Sequence, residues 1–264
     1  MSGTGEEQER RRRSMPHYLA TTDPSGQPKE PLGVLLLHGF TSSLDTISPL
    51  VPMLERQQLP YRMPILRGHN SKPEDLEGVS WHDWYADADA AMRELLAETE
   101  RVAIVGLSMG GLIALDLAIK YSGRLAGVAT LVVALRFKSP LTPVAGLVSR
   151  FVRYFPSPSG FSDRELAKRS TNYKRYPTKA ALSLIEYQKV IEQKLAQVRV
   201  PLLVIGARHD SVVKPNSSAA VYAQASTPAE KKQLVWFERS DHEVLMDVEA
   251  QAVVGTVESW LGGL

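Results

Sequence analysis

An α/β fold, with a mostly parallel central sheet flanked by helices, is predicted by three observations. Apolar runs without alternation recur at residues 33–37, 101–107, 127–134 and 201–206, the pattern of strands covered on both faces. Helical stretches stand between them over short links, as in a sheet wound with helices. At residues 101–111, Arg-Val-Ala-Ile-Val-Gly-Leu-Ser-Met-Gly-Gly, a buried strand turns directly into a helix. The joint carries Gly106-x-Ser108-x-Gly110. A serine thrust outward on so sharp a turn needs residues almost free of side chain two positions before and after it.

Composition sets the bounds. The chain has 264 residues, 44% of them hydrophobic, enough for one large α/β core. Its formal net charge of +2 is too small to make nucleic acid or an anionic membrane the main partner. With no cysteine, disulfides, thiolate metal sites and a cysteine nucleophile are excluded. Glu6, Glu7 and Glu9 precede four arginines from Arg10 to Arg13, but no signal-peptide apolar core follows. No run approaches the ~20 apolar residues of a membrane span. The expectation is a soluble, cytoplasmic protein with a disordered tail over residues 1–15.

Taken in order, residues 17–22 read as a short edge strand before the turn Asp23-Pro24-Ser25-Gly26. The strand at 33–37 ends in His38-Gly39-Phe40-Thr41-Ser42. A parallel strand delivers such a loop to the active-site edge, where Gly39 allows close backbone approach to a ligand. The Phe40 N–H is then a candidate oxyanion donor, and His38 a packed core residue. Residues 45–57 read as a short helix with prolines near its start, and 60–65 as the next strand. Arg67-Gly68-His69-Asn70 follows on a loop, with His69 read as structural. The helix at 80–98 is capped by Ser80 with Asp83 three residues on, and its Trp81, Trp84, Ala88, Ala91 and Leu95 recur at helical spacing.

After the strand at 127–134 the pattern changes, and residues 135–198 show no strand signal. Two amphipathic stretches stand there, Val144 through Phe155 and Ala180 through Leu195, separated by a charged link. An inserted helical segment at this sheet edge reads as a small helical cap or lid. Strands follow at 201–206 and 233–237, and residues 243–261 close the chain as a helix. The core is therefore expected over residues 16–134 and 199–264.

Serine is a poor nucleophile until a base takes its proton, and the base needs a carboxylate to hold its tautomer. Asp210 follows one late strand and His242 the last, so Ser108, Asp210 and His242 occur in the order serine, acid, histidine. His209 adjoins the acid, and Asp241 and Asp247 lie too near His242 in sequence to orient it. Ser108 would attack an acyl carbonyl with His242 as base, and the N–H groups of Phe40 and Met109 would hold the oxyanion. No metal or organic cofactor is needed. Gly39, Phe151 and Ile185 are candidate substrate contacts, the last two in an apolar acyl pocket.

Residues 33–42 (GVLLLHGFTS), 67–70, 106–111 (GLSMGG), 206–210 (GARHD) and 240–247 (SDHEVLMD) resemble the bacterial carboxylesterase and monoacylglycerol lipase branch of the α/β-hydrolases. The resemblance covers residues 30–262. It implies the α/β-hydrolase fold, a triad of Ser108, Asp210 and His242, oxyanion donors at Phe40 and Met109, and a cap near residues 135–195 with an apolar pocket. Asn70 stands where the family's loop usually ends in glycine, and Ser240-Asp241 precedes His242 where Ser-Gly is common. The expected activity is hydrolysis of short to medium acyl esters, monoacylglycerols included. Contact with a lipid surface would be transient, without stable membrane insertion. An amidase, thioesterase or acyltransferase on the same triad, or a non-catalytic binding protein of this fold, are the alternatives.

Overall fold

The computed structural model describes residues 32–139 and 142–264; the expected tail at 1–15 and edge strand at 17–22 lie outside the described residues. Six strands form one sheet: β1 (Leu32–Leu37), β2 (Tyr61–Arg62), β3 (Arg101–Leu107), β4 (Leu125–Leu131), β7 (Leu202–Ala207) and β8 (Lys232–Phe237). Their order is β2-β1-β3-β4-β7-β8, and every neighbouring pair is parallel. Two further strands, β5 (Tyr154–Pro156) and β6 (Arg175–Pro177), pair antiparallel outside this sheet.

The unbroken apolar runs are explained by burial on both faces. In β1, Leu35 and Leu37 join one apolar cluster and Val34 and Leu36 the other. The first cluster also takes in helix Trp81–Leu96 and helix Met109–Lys120, and the second takes in helix Val51–Arg56 and helix Ala250–Gly262. Helix Met109–Lys120 is buried along nearly its whole length, as a helix centred on a sheet must be. At the start of helix Trp81–Leu96, Asp83 accepts both the N–H and the hydroxyl of Ser80.

Four expectations change. The strand at 60–65 pairs only over Tyr61–Arg62 at the sheet edge. Residues 45–57 begin as two 3-10 turns, Leu44–Thr46 and Ser48–Leu50, before helix Val51–Arg56. Pro49 and Pro52 contribute no N–H to a longer helix. The last helix starts at Ala250 rather than at 243. Carboxylates interrupt it, since Asp247 accepts from the N–H groups of Asp241 and Ser162, and Glu249 from those of Arg239 and Ser240.

The fourth change is in the segment between β4 and β7. The stretch at 144–155 is helical only over Ala145–Val148, and then passes into β5. Several of its apolar side chains stay exposed, Leu147 at 59% and Phe151 at 81%; without burial a short helix is marginal. The pairing of β5 with β6 escaped the sequence reading because each strand has three residues and one of those is proline. Helix Thr178–Lys194 instead packs into the main core through Ala180, Leu184, Tyr187 and Ile191. The Tyr187 ring stacks on Trp81 at 4.5 Å between centroids, and its hydroxyl donates to Asp116. Lys194 pairs with the same carboxylate at 3.0 Å, and Gln188 donates to the Ala134 carbonyl.

Candidate active site

A parallel sheet sends the loops after all its strands to one edge. Here the loops after β1, β3, β7 and β8 bring Phe40, Ser108, Asp210 and His242 to that edge. Ser108 links β3 to helix Met109–Lys120 with φ 54° and ψ −112°, a backbone conformation that costs a non-glycine residue about 1–3 kcal/mol. Neighbours hold it there: the Ser108 N–H donates to the Leu131 carbonyl, and its own carbonyl accepts from Gly111 and Ala134. A Cβ on Gly106 would lie 2.2 Å from the Gly110 carbonyl oxygen, and one on Gly110 would lie 2.2 Å from that of Leu37. Strand, turn and helix are packed too closely for any side chain at either position.

The Ser108 hydroxyl lies 2.8 Å from His242 Nε2, and His242 Nδ1 lies 2.8 Å from Asp210 Oδ2. The second Asp210 oxygen accepts the N–H groups of Val212 and Val213 at 2.8 and 2.7 Å, so the carboxylate is fixed at both ends. All three side chains are buried. Burial pushes the His242 imidazole toward neutrality, but the Asp210 carboxylate outweighs it by charge and hydrogen bond. With Glu243 and Asp241 adding negative charge nearby, the His242 pKa stands above the ordinary histidine range. The arrangement can activate a hydroxyl by removing its proton and can return that proton to a leaving group.

The neighbours proposed as rivals have other work. Asp241 accepts from the N–H groups of Ser211 and His242, and Asp247 from Ser162 and Asp241. His209 is exposed. His38 is wholly buried, with Nδ1 2.9 Å from the Gly39 carbonyl and Nε2 accepting the Leu66 N–H. Burial pulls its pKa down to about 4, partly offset by the Gly39 carbonyl. Burial, with the adjacent His38, takes His69 down to about 3; its Nδ1 faces the Leu66 and Arg67 carbonyls. Both stay neutral and structural. Asn70 sits at φ 56°, and asparagine is the side chain that most readily replaces glycine in that region.

A cavity of about 540 Å³ opens above Ser108. Phe137, Phe155, Leu184 and Ile185 are among its apolar lining, while Ser108, His242, Asn172, Glu243, Lys138 and Ser211 are among its polar lining. Of the expected substrate contacts, Ile185 lines the cavity. Phe151 does not, because the helix that would have turned it inward stops at Val148. Gly39 packs beneath the serine, where a Cβ would meet that of Ser108 at 3.3 Å. Phe40 lines the cavity beside Ser108, and Met109 opens helix Met109–Lys120, whose first N–H groups lack intrahelical partners. The loop carrying Phe40 is tied down from across the cavity: the Tyr173 N–H donates to the Thr41 carbonyl, and the Thr171 and Ser43 hydroxyls meet at 2.6 Å.

Asn172 and Glu243 were not singled out in the sequence. Glu243 stood in a stretch read as helix, and nothing local to Asn172 marks it, because the two meet across 71 positions. Among the described residues, no group of three or more His, Asp or Glu side chains is placed to hold a metal ion. No described helix is long and apolar enough to cross a membrane.

Residues 29–249 match the family model described as serine aminopeptidase, S33. A carboxylesterase of Bacillus subtilis (strain 168) is 27% identical over 229 residues, covering 86% of this chain and 91% of the relative. A thermostable monoacylglycerol lipase of Bacillus sp. (strain H-257) is 25% identical over 236 residues, covering 89% and 92%. Among solved structures, one from the work on LipS and LipT, two metagenome-derived lipolytic enzymes, superposes with a TM-score of 0.83 at 28% identity, covering 89% of this chain and 95% of that one.

Proposed function

The chain belongs to the serine aminopeptidase S33 family of α/β-hydrolases, is a hydrolase of its carboxylesterase and monoacylglycerol lipase branch, and we propose that it cleaves carboxylic esters of short to medium acyl chains, monoacylglycerols among them, through Ser108, His242 and Asp210. The observation that carries this reading is the unbroken run of hydrogen bonds from Ser108 through His242 to Asp210, 2.8 Å at each step, with Ser108 and His242 lining a cavity that also presents apolar side chains.

In this reading His242 Nε2 takes the Ser108 proton as the oxygen attacks the acyl carbon. The N–H groups of Phe40 and Met109 receive the charge on the carbonyl oxygen, each worth about 10²- to 10³-fold in rate. His242 then passes its proton to the leaving alcohol, and a water repeats the sequence on the acyl-enzyme. Asp210 holds Nδ1 protonated so that Nε2 faces the serine. Residues 135–198 serve as the cap, with helix Thr178–Lys194 as its fixed wall, and the apolar side takes the acyl chain.

The test is turnover of an acyl ester series, with matched amides of the same acids, by wild type and Ser108→Ala. The expected result is ester hydrolysis with a chain-length optimum, reduced by about 10³-fold or more in the variant. Amide turnover exceeding ester turnover would move the assignment toward the peptidase activity in the family's description. Ester turnover that survives in Ser108→Ala would remove the proposed nucleophile.

A further inference from the structure

Thr41 follows Phe40 in the loop after β1 and has φ 63°. A β-branched side chain rarely adopts this left-handed conformation, which persists only where neighbours enforce it. Within the loop, the Ser42 N–H reaches the Gly39 carbonyl at a long 3.4 Å. Firmer contacts come from the segment between β4 and β7. The Tyr173 N–H donates to the Thr41 carbonyl at 2.9 Å, and the Thr171 hydroxyl meets that of Ser43 at 2.6 Å. The turn at Thr41 is therefore held from across the cavity.

The holding residues are themselves anchored. Tyr173 is buried, and its hydroxyl donates to the Gly68 carbonyl at 3.1 Å and accepts the Ser71 N–H at 2.9 Å, which fixes the backbone that carries its own N–H. The Asn172 side chain donates to Glu243, the residue after His242, at 2.7 Å. Three consecutive residues thus run as a strap between the loops after β1, β2 and β8, and their bonds end beside the reacting groups rather than on them. An oxyanion donor works only when its N–H already points to where the charge will form, and a displacement of about 1 Å can cost about 10²-fold in rate. Without the strap, Thr41 would be free to leave the left-handed region and turn the Phe40 N–H out of line.

We propose that Thr171 and Tyr173 are positioning residues for the oxyanion hole, holding Thr41 in its left-handed turn and, through it, the Phe40 N–H toward the developing charge. This rests on the serine-hydrolase reading above, in which Phe40 supplies that N–H. Formation and hydrolysis of the acyl-enzyme both pass through an oxyanion. A displaced donor therefore lowers kcat whichever step limits it, and leaves KM for a short ester nearly unchanged.

The test is a double-mutant cycle read as kcat and KM for p-nitrophenyl butyrate, with Ser108→Ala alongside. One arm is the pair Thr171→Val and Tyr173→Phe, which removes the strap's two hydroxyls at nearly constant volume. The other is Thr41→Gly, which removes the strain that the strap opposes. With Thr41 in place, the pair should lower kcat by about tenfold or more and move KM by less than about twofold. In the Thr41→Gly background the same pair should cost about threefold or less, because glycine adopts the turn without enforcement. Should the pair not fold, Thr171→Val alone, at an exposed position, carries the comparison. An unchanged kcat, a loss confined to KM, or a loss of the same size in both backgrounds would overturn the positioning role while the hydrolase reading stands. Absence of any Ser108-dependent turnover in wild type would overturn both.

Discussion

The Asp210 carboxylate acts on the charge of His242, and this gives a prediction about pH. The Asp210 carboxylate holds the imidazolium form in place against burial, which alone would disfavour it. As the proposed base, His242 would act only when neutral, so kcat/KM should rise with pH through a midpoint above about 6.5, the ordinary histidine value. Replacing Asp210 by Asn removes the charge that raises the midpoint and leaves burial to lower it. The acid limb should then move to lower pH while the plateau drops by about 10³- to 10⁴-fold, as the orienting acceptor for Nδ1 is lost. A limb that stays in place would mean that His242 is not the group being titrated. Residue roles were legible in the sequence where backbone geometry dictates them: Gly106 and Gly110 face gaps that admit no Cβ. Asn70, a departure from the family's usual glycine, sits in the left-handed backbone region that glycine favours. Glu243 and Asn172 were not legible, because their pairing depends on how two distant loops meet.

Among elements, those with strong periodicity or unbroken apolar runs were readable, and those set by tertiary contact were not. Strands β1, β3, β4, β7 and β8 and helices Trp81–Leu96 and Thr178–Lys194 lie where the apolar pattern puts them, within a few residues. Local pattern failed at 144–155, where a helical apolar stripe exists but Val144, Leu147, Phe151 and Val152 stay exposed, and at 243–249, where carboxylates bind backbone N–H groups and postpone the helix. The segment between β4 and β7 therefore has two parts of unequal anchorage. Helix Thr178–Lys194 is fixed by core packing, the Trp81 stack and the bonds to Asp116 and Ala134. Residues 145–170 bury few side chains. Amide hydrogen exchange should be faster across 145–170 than in helix Thr178–Lys194, as expected when few buried apolar contacts oppose local opening. Equal protection across both would mean that the whole segment opens and closes as one unit.

At the scale of the molecule, the function rests on a topological fact. Six parallel strands present the loops after β1, β3, β7 and β8 at one edge, so residues spread from 38 to 242 converge with no local sequence relation to one another. The order serine, acid, histidine along the chain made this convergence foreseeable, since the sheet determines which loops meet. The shape of the cavity was not foreseeable, because most of its far wall comes from the segment between β4 and β7, whose turns follow no repeating pattern. The central claim is that one serine, activated by this convergence, becomes covalently bound to the acyl group. The most direct measurement is covalent labelling with an alkyl p-nitrophenyl phosphonate, which mimics the acyl transfer but is not released by water, followed by intact mass and peptide mapping. The expected result is one adduct per chain on the peptide carrying Ser108, absent in Ser108→Ala and formed far more slowly in Asp210→Asn. An adduct on another residue, or ester hydrolysis by a chain that takes up no phosphonate, would contradict it.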